Sequence, residues 1–234
     1  MLQDASTDAI AAASGELEVR IASTQEQIRQ AQRLRYVVYC LERGFEPGEN
    51  GLEQDEFDNL AKHVLVRSRQ TGNILGTVRI VLPAPGAGHD GFPMQRACAD
   101  YVLAPLPVAA TGEISRFALT RERFGVSPAA AALMRLCLMR GIVEISGQAG
   151  LTHWCAIMER SLLRLLRATS IHFQAVGPLV EYHGIRQPTV AAIGTILGRI
   201  CREQPAVWSF ITDNGKFWSD QMIIAEKVVR TASV

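Results

Sequence analysis

The chain has 234 residues, 48% of them apolar, and sets 24 lysines and arginines against 23 aspartates and glutamates. That is enough apolar matter for one elaborated α/β domain with a sizeable core. A net charge of +1 excludes the global field that gathers nucleic acid or an anionic membrane, so no nucleic-acid partner is expected.

The opening MLQDASTDAIAAASGELEV has no basic n-region and no long apolar run, so a soluble, cytoplasmic protein without integral membrane contact is expected. Residues 1–15 read as a mobile segment. Leu17 to Ile21 alternates as a strand, and Ser23 and Thr24 are placed to cap a helix running to about Leu41. A Gly/Pro/acid-rich loop spans Gly44 to Gly51. The β-branched runs His63 to Arg67 and Ile74 to Leu82, joined by Gln70-Thr71-Gly72-Asn73, predict a hairpin. Pro83 to Gly91 breaks regular structure.

A strand over Ala110 to Leu119 is expected to lead into a long apolar helix from Pro128 to Ser146, with Pro128 in its first turn. Leu151 to Met158 reads as a strand, Glu159 to Ala168 as a helix and Ile171 to Val176 as another strand. Beyond a Pro/Gly-punctuated stretch, a helix is expected near Val190 to Arg202, then an irregular tail holding Trp208, Phe210, Phe217 and Trp218. The resulting fold class is α/β (α+β), a mixed and mainly antiparallel sheet flanked by helices. Residues 16–190 form its core and 191–234 a C-terminal helical extension of the same domain.

Three clusters carry chemistry. Arg35 and Tyr39 in RYVVYCLERGF lie four apart on one helical face, with Phe45 following; Asp55 and Asp58 in GLEQDEFDN can present two carboxylates from one turn. Arg79 interrupts the β-branched strand GTVRIVLP, and a strand arginine is rarely buried without a partner, for which Asp55 or Asp58 is the candidate. In EISRFAL, strand alternation puts Glu113 and Ser115 on one face and Ile114 and Arg116 on the other, with Phe117 next. Glu113 is placed as a desolvated base for acyl transfer to an amine, since an ammonium group has no lone pair with which to attack a thioester. Arg116, Arg79 or Arg35 would hold an acceptor carboxylate. Each cluster also has a plainer reading, as solvated charge, an outward hairpin face or a sheet ion pair.

Weaker candidates follow. Trp154 and Met158 alternate on their strand and would line an acyl groove unless they are core, and His183 in EYHG would be a general acid or a polar contact unless it is structural. Five histidines without ligand spacing, and five spread cysteines (Cys40, Cys98, Cys137, Cys155, Cys201) without a C-x-x-C pair, give no metal or dithiol site. Arg160, Arg164 and Arg167 form a basic helix stripe, a solvated face or a dock for an acidic carrier protein.

The order of elements resembles the GNAT acyltransferase fold. RYVVYCLERGF, the spaced Asp55 and Asp58, Arg79 and EISRFAL resemble the ordered signature of acyl-homoserine-lactone synthases: an arginine, an aromatic four residues on, a tryptophan ten residues on, D-x-x-D, a strand arginine and E-x-S-R-F. Phe45 stands where the tryptophan is usual, which counts against S-adenosylmethionine as acceptor. THWCAIMERSLLRLLR and FQAVGPLVEYHGIRQP look like acyltransferases of exosortase and PEP-CTERM systems, related to long-chain N-acyl amino acid synthases.

The resemblance implies an acyltransferase without a resident cofactor. It would use an acyl carrier protein phosphopantetheine thioester, or acyl-CoA, and a small amine acceptor, an amino acid. Glu113 and Ser115 would be catalytic, and Arg35, Tyr39, Phe45, Asp55, Asp58, Arg79, Arg116, Phe117, Trp154, Met158 and His183 would bind substrate. The turn RERFGVSPAAA has a lone Gly125, and Pro128 removes one N–H, so it makes a poor pyrophosphate cradle and points to the carrier-protein donor. The alternatives are an acyl-homoserine-lactone synthase using S-adenosylmethionine and a non-catalytic acyl-binding module.

Overall fold

A computed structural model describes residues 10, 15–45, 48–86, 91–98, 103, 106–120 and 128–218. The turn around Gly125 and the tail beyond residue 218 lie outside the described residues, as does most of the expected N-terminal segment. The strands are β1 (Leu17–Ile21), β2 (Ala61–Ser68), β3 (Ile74–Val81), β4 (Thr111–Leu119), β5 (His153–Met158), β6 (Gln174–Ala175), β7 (Val180–Glu181) and β8 (Ile185–Ala192). The helices are α1 (Gln25–Arg35), α2 (Pro128–Gln148), α3 (Arg160–Arg167), α4 (Ile193–Glu203) and α5 (Pro205–Thr212). The sheet runs β1-β2-β3-β4-β5-β8-β6, with β7 paired to β8, and every pairing is antiparallel except β4 with β5.

Alternation along the strands separates the two faces. On β2, Val64 and Val66 pack with Ile80, Leu138 and Ile142 under α2, while Leu65 packs with Ala22 and Ala31 under α1. Gly141 lets α2 close onto the sheet, since a Cβ there would lie 2.4 Å from the nearest Val64 methyl. Helices α4 and α5 join the same core through Ile193, Leu197, Ile200, Val207 and Ile211. No helix among the described residues is long and apolar enough to cross a membrane.

Three parts of the second half differ from the sequence expectation. Residues 185–192, expected as a punctuated connection with the start of a helix, form β8 between β5 and β6, so an extension beginning at residue 191 would cut a strand. The strand expected over Ile171 to Val176 is only two residues long. Trp208 and Phe210, expected in an irregular tail, sit on α5, which begins at Pro205.

Candidate active site

Thr24 caps α1 through a capping box with Gln27, and the helix then widens into a π turn over Tyr36–Glu42. Such turns are rare and recur at functional sites. This one carries Arg35 at its entry and points Tyr39 toward β4, where its hydroxyl donates to the Phe117 carbonyl at 3.1 Å. Asp55 caps the short 3₁₀ turn Glu56–Leu60, and Asp58 completes a second capping box, so one turn presents both carboxylates.

Those carboxylates meet three arginines. Arg35 pairs with Glu53 and, at 2.7 Å, with Asp58; Arg79 pairs with Asp55 and, at 2.7 Å, with Asp58. Arg116 reaches Glu53 at 2.9 Å and Asp55 at 3.1 Å, while Arg79 Nε donates to Ser115 Oγ at 3.1 Å. Arg35 and Arg79 are fully buried. Burial opposes ionisation of Asp58, yet Arg35 and Arg79 hold its carboxyl well below the usual range, and Glu53 and Asp55 are lowered in the same way. His63 lies buried beneath the network, 3.8 Å from Asp58. Burial, aided by the Arg35 charge, pushes its pKa down to about 4.

Arg116 is not where period-two alternation puts it. Opposite β3, Arg79 pairs with Ser115 but Thr77 with Ala118, so β4 carries an extra residue, and Arg116 has φ 55°. The bulge turns its guanidinium onto the carboxylate network instead of leaving it beside Ile114.

Glu113 lies on central strand β4, 3% exposed, and accepts a 2.8 Å hydrogen bond from the Met94 backbone N–H. Burial raises its pKa to about 8, although the Met94 N–H and the charges of Arg79 and Arg116 oppose the rise. Burial and the nearby Glu113 charge also push the Cys98 thiol up to about 11, which leaves it a poor nucleophile.

The parallel ladder joins only Thr111–Glu113 to His153–Cys155. Past it a groove of about 260 Å³ occupies the space between the strands, lined by Ile114, Phe117, Met134, Met158, Leu162 and Phe173 among others. Helix α3 forms one wall with Leu162, Leu165 and Leu166, while Arg160, Arg164 and Arg167 are exposed. A smaller cavity of about 40 Å³ adjoins it and contains Glu113, Ser115, Arg116, Tyr39, Phe45 and His183. Phe45 stacks on His183 with ring centroids 5.4 Å apart.

The structure thus gathers Tyr39, Phe45, Glu113, Ser115, Arg116, Phe117, Met158 and His183 on the two cavities. Arg35, Asp58 and Arg79 line neither; they stand behind Ser115 and Arg116 in the buried network. Trp154 is a correction: it is fully buried in the core, where its indole N–H donates to Ser146 Oγ at 2.8 Å, so it faces no groove. Sequence reasoning missed Glu53, although three arginines facing two aspartates call for a third carboxylate. It also missed Arg186 and Tyr182, which the β7–β8 hairpin brings to the small cavity.

Residues 34–131 match a family model described as an acetyltransferase (GNAT) domain. No curated protein matches the chain. Among solved structures, the acyl-homoserine-lactone synthase LasI aligns at 17% identity and TM-score 0.57, covering 74% of this chain and 87% of LasI. FeeM, an N-acyl amino acid synthase from uncultured soil microbes, aligns at 16% identity and TM-score 0.58, covering 80% and 97%. BjaI, a CoA-dependent acyl-homoserine lactone synthase solved with SAM and isopentyl-CoA, aligns at 18% identity and TM-score 0.58, covering 87% and 90%. The architecture is of the GNAT type.

Proposed function

We propose that this chain is an N-acyltransferase that moves a fatty acyl group from an acyl carrier protein thioester to the amine of a small acceptor, an amino acid. The observation that carries the reading is Glu113, a buried carboxyl with a pKa of about 8 in a small cavity adjoining the larger groove, where two parallel strands part. A general base works best with a pKa close to the operating pH. The likeness in fold to FeeM and to the lactone synthases supports the same class of chemistry.

In this mechanism the thioester lies along the groove with its carbonyl at the parting of β4 and β5. Ionised Glu113 takes one proton from the acceptor ammonium, and the freed amine attacks the carbonyl carbon to form the C–N bond. Strand-edge N–H groups receive the oxyanion. The C–S bond then breaks, pantetheine sulfur leaves as a thiol with the second amine proton, and Glu113 returns its proton to solvent. The motifs of the second half, THWCAIMERSLLRLLR and FQAVGPLVEYHGIRQP, support kinship with the exosortase-linked acyltransferases.

Lipid extraction after expression in a bacterium tests the reading. An accumulated N-acyl amino acid is expected. Acyl-homoserine lactone with methylthioadenosine would instead assign the second reading, which the likeness to BjaI with SAM favours and Phe45 in place of a tryptophan disfavours. Bound acyl chains without any acyl product would leave a binding module.

The donor is tested separately. The exposed arginines of α3 stand on the helix whose leucines wall the groove, a surface suited to an acidic carrier protein. Acyl carrier protein should be preferred over acyl-CoA of the same chain length. Salt should erode the preference, because exposed charges are screened over about 8 Å at physiological ionic strength. Reversing Arg160, Arg164 and Arg167 to glutamate should raise KM for the carrier and spare a short acyl-pantetheine; acyl-CoA performing equally at every salt concentration would refute carrier docking.

A further inference from the structure

The charged groups of the site fall into two sets. In the buried network three arginines, Arg35, Arg79 and Arg116, face three carboxylates, Glu53, Asp55 and Asp58, through six ion pairs, so the charges balance. None of these guanidinium groups has an unmatched charge to offer a substrate. The expectation that one of them holds an acceptor carboxylate therefore finds no support in the charge balance.

The cavity mouth differs. Arg43 and Arg186 converge on one carboxylate, Glu159, at 2.5 Å and 3.3 Å. Both guanidinium carbons also lie 5.6 Å from the centre of the Phe45 ring. Two cations against one anion leave an excess positive charge; of the other charged groups of the groove, Arg116 is matched within the buried network, and Glu42 and Arg135 are one of each sign. The Arg186 side chain is 13% exposed and is braced by the His183 carbonyl, at 3.2 Å from Nη2, in the turn of the β7–β8 hairpin. It lines both the acyl groove and the small cavity.

Four charged side chains line the small cavity: Glu53, Glu113, Arg116 and Arg186. Glu53 and Arg116 neutralise each other within the network. What remains is one carboxyl and one guanidinium, the complement of a zwitterion. Arginine is suited to this task, since its planar fork receives a carboxylate through two hydrogen bonds.

We infer that Arg186 holds the carboxylate of the acceptor while Glu113 faces its amine, so that the acceptor is a small amino acid read by both ends. The inference rests on the acyltransferase reading above. Phe45 has a defined part in it: its ring holds the Arg43 and Arg186 guanidinium groups at the mouth, and Glu159 occupies them until a substrate carboxylate arrives.

The test is a binding comparison, independent of turnover. Calorimetry would measure the affinity of the protein for N-dodecanoyl-alanine and for N-ethyldodecanamide, which has the same acyl chain and amide but no carboxylate. The wild type is expected to prefer the acid by about 10-fold or more, as expected for a charge-assisted pair. Arg186→Met should abolish that preference, with the loss confined to the acid, and Arg186→Lys should restore part of it.

Glu159→Gln should move the ratio the other way, toward still tighter binding of the acid, because it removes the competing anion; a misfolded variant cannot mimic a gain. Equal affinity for the two ligands in the wild type, an undiminished preference in Arg186→Met, or a loss in Glu159→Gln would overturn the inference while leaving the acyltransferase reading intact. Binding of neither ligand would overturn both.

Discussion

Glu113→Gln is expected to cut acyl transfer about 10²-fold or more at neutral pH. The amide is isosteric and its oxygen still accepts the Met94 N–H, which lies 2.8 Å from the carboxylate, so the lost quantity is proton affinity and not shape. The wild-type rate should rise with pH toward a plateau above about 8, following ionisation of the buried carboxyl, and the variant should lose that limb. Equal activity of the two proteins at neutral pH would remove Glu113 from the mechanism.

Stability gives a second readout with a worked sign. Glu113 binds its proton more tightly folded, at about 8 against 4.5, so its contribution is present at low pH and lost as pH rises toward 8. His63 is the reverse: its folded pKa of about 4 lies below 6.5, so the unfolded chain binds more protons between those values and stability falls on acidification. The two slopes oppose each other from about pH 4.5 to 6.5. In Glu113→Gln the opposing slope is gone, so urea midpoints should climb from pH 4 to 6.5, with the lowered Glu53, Asp55 and Asp58 carboxyls adding to the rise at its acid end, and then level; in His63→Gln they should fall above that acid range toward pH 8. Parallel profiles in all three proteins would show that neither group is shifted.

The first five strands and the long helix were legible because their β-branched runs and apolar stretch were bounded by strong punctuation. Strand β8 was not, since Pro188 and the His183-Gly184 turn argue against a strand interior. The structure accommodates Pro188 because β6 pairs only with Thr189 and Val190, and at Pro188 itself it is the carbonyl that accepts from Val176.

The pairing of Arg79 with Asp55 and Asp58 followed from elementary electrostatics, because a strand arginine requires a counter-charge. The position of Arg116 did not, since a bulge with an arginine at positive φ carries no sequence signal and shifts the side chain off its period-two face. Arg186 escaped notice for a related reason: its role depends on a hairpin that punctuation disguised as a loop, and on Phe45 and Glu159 arriving from distant parts of the chain.

The largest stability effect is expected from Arg79→Met. The fully buried guanidinium pairs with Asp55 and Asp58 and donates to Ser115, so its removal leaves the network with two cations against three anions. Breaking a buried pair from one side costs about 3–5 kcal/mol, because the remaining charge is uncompensated, whereas removing both charges together costs far less. Adding Asp55→Asn restores the balance at two against two, and Asp55 retains a side-chain oxygen for the Phe57 N–H it caps at 3.0 Å. Denaturant unfolding of the wild type, both single variants and the double variant forms a cycle, in which the double should recover a good part of the Arg79→Met loss. If the two losses simply add, charge balance does not hold this lobe together. The rescued protein then separates stability from function: with Ser115 and the bulge no longer braced by Arg79, it should fold yet show a raised KM for the amine acceptor and little change for the acyl donor, and a defect confined to the donor would place the network's role in the groove instead.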